Sequence, residues 1–245
     1  LSVAVLDEID LKTGVDFYKE RFADASDFTF VFVGAIDLDI MRPLAEQYLG
    51  SLPRIERVDS HVDLDIDPPA AHIQKPVRAG VEPQSQTIMA FSGPFDYTAQ
   101  NRVGMRVMAQ ALEIRLRERM REDLGGTYGV GVTGGYEQIP EESYTVTVAF
   151  GSDPLRSEEL RGVVFEELRK LQVEGPSQED VDKVVEGERR ARETNVRLNP
   201  YWAAQLIGAK ASGQDPRFLL DTTTIDAVTM ESIQEDAQRY LNEDR

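Results

Sequence analysis

An α+β fold, with one mostly antiparallel sheet in a two-layer arrangement and helices on one face, is what this sequence predicts. Two observations lead there. Short apolar or alternating runs that read as strands follow one another through hairpin-like turns, at 71–78 and 84–92 and again at 127–135 and 143–150. Long amphipathic stretches come in pairs, instead of alternating regularly with the strands as a parallel sheet would require. With no internal repeat, residues 1–245 read as one domain, an entry segment over 1–24 and a core over 25–245.

Taken in order, LKTGVDFYKERF at 11–22 has helical spacing with Asp10 as its N-cap. Residues 26–34 are predicted as a strand; FTFVFV is apolar almost without relief, as expected of a strand buried on both faces. Asp37 caps a helix that runs to Tyr48 or Leu49, where Gly50 and Pro53 stop it. Residues 54–69 are charged and lack a period, so they read as an exposed connection. Strands follow at 71–78 and 84–92, joined by a turn containing Gly80.

The stretch 101–132 organises the rest. Val103, Val107, Met108, Ala111, Leu112, Leu116, Met120 and Leu124 recur at three- and four-residue steps. They form the stripe of a helix of roughly 25 residues, about 35 to 40 Å long. Gly125 and Gly126 end it, and a strand is predicted at 127–135. YTVTVAF within 143–150 alternates cleanly, with one face in and one out. Then come a helix at 155–173 and another opened by the capping box at Ser177, with Glu179 or Asp180 at its start. Pro200 separates that helix from a piece at 201–211 carrying Trp202, Leu206 and Ile207. A short helix and turn at 215–225 and a final helix begun at Thr229, with Glu231 or Ser232 in its first turn, complete the chain.

Composition narrows the function. Of 245 residues, 41% are apolar and 8% aromatic, enough for a real core. A net charge of −17 spread along the chain argues against nucleic acid or an anionic membrane surface as partner, and equally fits an acidic proteome. The absence of cysteine removes disulfides and thiolate chemistry. No run reaches the length of a membrane span, and LSVAVLDEID lacks both a basic start and a signal-like apolar run, so a soluble chain cut or processed from something longer is expected.

Several constellations carry little chemistry. His61 and His72 are the only histidines, and neither has a carboxylate at helical metal-site spacing; they read as surface residues. Glu141 and Glu142 are neighbours in a turn, pointing apart and solvated. The glycine-rich 125–135 runs helix, glycines, strand, the reverse of a phosphate-binding loop. Arg115, Arg117, Arg119 and Arg121 are interleaved with Glu113, Glu118 and Glu122, which predicts ion pairs within the helix. Trp202 beside Tyr201 reads most simply as a core anchor.

Arg121 and Tyr128 are the candidate site. The arginine sits on the last helical turn and the tyrosine at the first strand residues, so a permanent cation and a phenolic donor meet at one edge. The plain structural alternative is an arginine paired with Glu118 or Glu122 and a half-buried strand tyrosine.

RMREDLGGTY resembles the Arg-x6-Tyr signature in the C-terminal half of pitrilysin-type zinc metallopeptidases, the inverzincin family that includes insulin-degrading enzyme and the mitochondrial processing peptidases. DFTFVFVGAIDLDIMRPLAEQYLGSLP at 27–53 repeats that family's pattern of a strand ending in Gly, an acidic helix and Leu-Gly-x-Leu-Pro. Asn199 to Trp202 is similar to the Asn-x-x-Trp of one bacterial branch. The resemblance implies a processing-peptidase-type domain. Its HxxEH zinc motif is missing here, so it implies that zinc belongs to the full-length enzyme and is held by an N-terminal half, not by this chain.

On that resemblance the chain is the substrate-binding, transition-state-assisting C-terminal half of a zinc metalloendopeptidase. Its partners are the catalytic half, in the same polypeptide or a separate subunit, and a peptide; a homodimer contact is a further candidate. Tyr128 would donate to the developing oxyanion and Arg121 would position the substrate. The isolated chain is expected to be inactive. A bacterial periplasmic location is implied by resemblance alone. The competing readings are a non-catalytic interaction subunit of the same fold and an unrelated acidic binding domain.

Overall fold

A computed structural model describes residues 3–58, 60–69, 71–221 and 223–243. In chain order the helices are α1 (Val3–Asp7), α2 (Leu11–Arg21), α3 (Leu38–Tyr48), α4 (Ala99–Arg117), α5 (Ser157–Glu174), α6 (Gln178–Asn195), α7 (Asn199–Ala211), α8 (Thr223–Asp226) and α9 (Met230–Tyr240). The strands are β1 (Ser85–Pro94), β2 (Val130–Glu137) and β3 (Ser143–Ser152). The chain divides into two units: Leu1–Ser60 with Leu198–Ala211, and His61–Arg197 with Ser212–Arg245.

The larger unit is the α+β body. Its sheet has the order β1-β3-β2, antiparallel throughout, with Ser85 opposite Ser152 at one end of the β1–β3 ladder and Val130 opposite Phe150 in the β2–β3 ladder. The alternation in β3 does what its sequence dictates. Tyr144, Val146, Val148 and Phe150 are buried, while the threonines between them lie on the other face. Phe91, Val130 and Val132 join the buried side, and helices α4, α5 and α9 supply the second layer. Along α4, Val107, Met108, Ala111, Leu112 and Leu116 are all buried, so the predicted stripe faces the core; Val103 and Leu124 at its ends are half-buried.

Local signals are met closely. Ser177 accepts from the Asp180 amide at 3.1 Å, and the Asp180 carboxylate reaches back to the Ser177 amide at 3.3 Å. Thr229 and Ser232 form the same reciprocal cap at the start of α9. Pro200 sits in the first turn of α7, separate from α6. Trp202 is half-buried, not a core anchor, and Ile207 is exposed.

The smaller unit departs from expectation. Residues 26–34 form no strand: a 3₁₀ turn at Ala25–Asp27 is followed by chain without regular structure, and Phe28, Phe30 and Phe32 are exposed. The run 71–78 is likewise irregular and exposed. Two of the five expected strands are therefore absent, because a strand exists only where a neighbour accepts its backbone hydrogen bonds and neither run has one among the described residues. The buried group here is polar. Asp24 is 0% exposed and accepts from the Ser26 hydroxyl at 2.7 Å and from the amides of Ser26, Ile55 and Arg57 at 3.0, 3.1 and 2.6 Å. Burial alone would raise its pKa, but the hydrogen bonds from Ser26, Ile55 and Arg57 outweigh it and hold the carboxyl well below its ordinary value.

Candidate functional site

The junction between α4 and β2 is built in three steps. After Arg117 the helix widens into a π-helical turn over Glu118–Asp123, with the Leu124 amide bonded to the Arg119 carbonyl at 3.2 Å. Gly125 then takes φ +54°, the left-handed backbone that ends the helical run, and the Gly126 amide closes on the Met120 carbonyl at 2.9 Å. Gly126 also lies against α5: a Cβ there would fall 2.6 Å from Leu160 Cδ2. The strand starts at Val130, so Tyr128 sits in the connecting loop and not, as expected, among the first strand residues.

Thr127 fixes that loop. It is buried, and its Oγ1 lies 2.6 Å from the Gly151 carbonyl and 2.8 Å from the Gly129 carbonyl, while accepting from the Gly129 amide at 3.2 Å. Arg156 donates to the Leu124 carbonyl at 3.3 Å and holds Glu159 with two nitrogens. On the far side of α4, Glu113 accepts from the Val132 amide at 3.2 Å and is itself paired with Arg117. The loop therefore rests on α4, α5 and β3 together.

What this support presents is Tyr128, which is fully exposed. Arg121, on the solvent side of the π turn, is exposed too. Of the predicted ion pairs within the helix, Arg117 with Glu113 is present; Arg119 instead reaches Asp123 at 3.4 Å, and Arg115 reaches across to Glu167 of α5 at 3.4 Å. Glu118 lies near Lys183 at 3.8 Å. Among the described residues Arg121 has no ion-pair partner, so neither half of the plain structural alternative is met. Two concavities of about 550 and 530 Å³ lie elsewhere, one at Phe95 and Tyr240, the other among the ion pairs of Arg119 and Lys183; neither is lined by Arg121 or Tyr128.

Sequence spacing selected Arg121 and Tyr128 but missed Thr127, Glu113 and Arg156. A lone threonine between glycine and tyrosine carries no periodic signal. The contacts of Glu113 and Arg156 span 19 and 32 positions and depend on packing. His61 and His72 are both exposed, as expected of surface histidines, and no three His, Cys, Asp or Glu side chains among the described residues come together in a metal-holding group.

Residues 10–188 match the family described as the Peptidase M16 inactive domain. The chain belongs to that family. Among curated relatives it is similar to the zinc protease PQQL-like of Arabidopsis thaliana, 29% identical over an alignment of 223 residues, with 84% of this chain and 23% of that protein covered. Among solved structures it is similar to the periplasmic protease PqqL from Escherichia coli, with TM-score 0.71, 20% identity, and 85% of this chain matched to 23% of the other. It is also similar to the ferredoxin protease FusC solved with Arabidopsis ferredoxin, with TM-score 0.77, 20% identity, and 100% of this chain matched to 27% of that one. The chain thus spans about a quarter of these proteins. The M16 inactive domain is the C-terminal, protease-associated part of pitrilysin-family zinc proteases.

Proposed function

We propose that this M16 domain binds the peptide substrate and assists its hydrolysis, facing a catalytic half that holds the zinc. The observation that carries the reading is an exposed Arg121 guanidinium, without an ion-pair partner among the described residues, and a fully exposed Tyr128 phenol on the two sides of one glycine-terminated junction. An exposed cation and an exposed donor on a hydrogen-bonded junction suit a surface that forms one wall of a groove completed from outside.

Attack on a peptide carbonyl places negative charge on its oxygen. The Tyr128 hydroxyl donates a hydrogen bond to that oxygen as the charge develops, and Arg121 hydrogen-bonds the substrate backbone and fixes its register. Zinc, supplied by the other half, provides the activated water; names of relatives as zinc proteases support its presence there. The complex of the ferredoxin protease supports a polypeptide as the substrate class, and the periplasmic source of the Escherichia coli protease supports an extracytoplasmic site of action.

Arg121→Gln in the full-length protein tests the positioning role. The expected result is a KM raised about tenfold with kcat reduced less; unchanged KM removes arginine from the proposal. The family's description as inactive keeps one second reading in view, a non-catalytic subunit of the same fold. An HxxEH motif absent from both the reading frame and any co-purifying subunit favours that reading.

A further inference from the structure

An open cavity of about 550 Å³ sits where β1 passes into α4 and α9 ends, lined by Pro94, Phe95, Asp96, Glu142, Arg239 and Tyr240. Pro94 pairs with Ser143 at one end of the sheet, whereas Thr127 ties the Tyr128 loop to Gly151 near the other. The strand between Ser143 and Gly151 is about 26 Å long, so the cavity is remote from that loop. The floor is aromatic. Phe95 and Tyr240 are 4 and 2% exposed, with ring centroids 5.7 Å apart. Each is backed by a further ring, Phe95 by Tyr136 at 5.5 Å and Tyr240 by Tyr144 at 4.9 Å.

The fold leaves polar groups on this cavity unused. The Tyr240 hydroxyl is buried and has no hydrogen-bond partner among the described residues, a state that native structures carry only rarely. Arg239 lies over the tyrosine ring, 5.7 Å from its centre, and not in hydrogen-bonding position on the hydroxyl. Burial pushes the pKa of Tyr240 up against the pull of Arg239, so at neutral pH the hydroxyl keeps its proton and is a donor. At the rim Asp96 and Glu142 are exposed; Glu142 accepts from the Tyr97 amide at 3.1 Å, and neither carboxylate has a cation partner among the described residues. Arg239 has Glu235 and Asp236 near it on its own helix but forms no ion pair among the described residues.

Charges of both signs on one rim, an apolar floor and a buried donor with nothing to donate to suit a small zwitterion. A water molecule takes up about 30 Å³ and would serve the hydroxyl alone, leaving the rim charges idle. The volume falls within the about 300 to 1,000 Å³ of small-molecule sites and exceeds what one amino acid fills. We infer that the cavity binds a free dipeptide with an apolar side chain. Its ammonium meets Asp96 and Glu142, its carboxylate takes hydrogen bonds from Arg239 and the Tyr240 hydroxyl, and its side chain lies on Pro94 and Phe95. The inference rests on neither Arg121 nor Tyr128.

Calorimetric titration of the 245-residue chain with leucylphenylalanine tests it. Saturable binding to a single site is expected, weakened at least about tenfold by N-acetylation of the dipeptide, by its C-amidation, and by Arg239→Gln in the protein. Tyr240→Phe keeps the ring in the core and weakens binding at least about threefold. The blocked dipeptides leave the protein unaltered, so their loss of affinity cannot come from misfolding. No saturable heat up to about 10 mM dipeptide overturns the inference. So does equal affinity for the free and the acetylated dipeptide, which reduces the cavity to an anion site on Arg239. Equal affinity for the free and the amidated dipeptide overturns it too, leaving only a cation site at Asp96 and Glu142. Because the readout is binding at a cavity that Arg121 and Tyr128 do not line, this inference and the catalytic reading stand or fall separately.

Discussion

The hydroxyl of Thr127 lies 2.6 Å from the Gly151 carbonyl and ties the loop that bears Tyr128 to the end of β3. Thr127→Val keeps the shape and removes the hydroxyl that lies against the Gly151 and Gly129 carbonyls. The expected cost is about 1 to 3 kcal/mol of stability, measured by urea unfolding of the chain. If Tyr128 acts as proposed, the same substitution in the full-length protein is expected to lower kcat by loosening Tyr128.

Gly134 is where β2 crosses α4. A Cβ at that position would meet Met105 Cγ at 2.7 Å and the Met105 carbonyl oxygen at 3.2 Å. Met105 is fully buried and has no room to withdraw. Gly134→Ala is expected to destabilise the chain by about 1 to 3 kcal/mol, seen as a lower Tm.

Arg115 joins α4 to α5, pairing with Glu167 at 3.4 Å and donating to the Gly175 carbonyl at 3.0 Å. Glu167 is 5% exposed, and Lys170, at 2.8 Å, is its other partner. Arg115→Ala leaves a buried carboxylate with a single cation and frees the carbonyl, at an expected cost of about 3 kcal/mol in chemical denaturation.

Asp236 on α9 packs against Gly104 of α4, in the space a side chain at 104 would fill. Burial pushes its pKa up to about 6, against the pull of Arg239 and with a contribution from Glu235. The unfolded value is about 3.9. Between these two values the folded chain holds a proton that the unfolded chain has released, so the contribution of Asp236 to stability rises as pH falls from about 7 to 4. Asp236→Asn is therefore expected to stabilise the chain by about 1 to 2 kcal/mol at pH 8, allowing for partial exposure, and by almost nothing at pH 4. Urea unfolding of both proteins at the two pH values checks the sign.

Much of this was legible in the sequence, for physical reasons. The α4 stripe, the alternation of β3 and the caps at Asp10, Asp37, Ser177 and Thr229 are local signals, and local signals survive translation into structure. The strand at 26–34 was not realised, because an apolar run specifies a strand only when a partner edge is present. The scaffold of the site was hidden for a related reason. Thr127 to Gly151, Glu113 to Val132 and Arg156 to Leu124 join residues far apart in the chain, and no spacing rule reports them.

The central claim is that Tyr128 stabilises charge in the transition state from this side of the groove. Its most direct measurement is kcat and KM for a peptide substrate with Tyr128→Phe in the full-length enzyme. The account predicts a fall in kcat of about 10²- to 10³-fold with KM little changed. A kcat equal to that of the unsubstituted enzyme would contradict it.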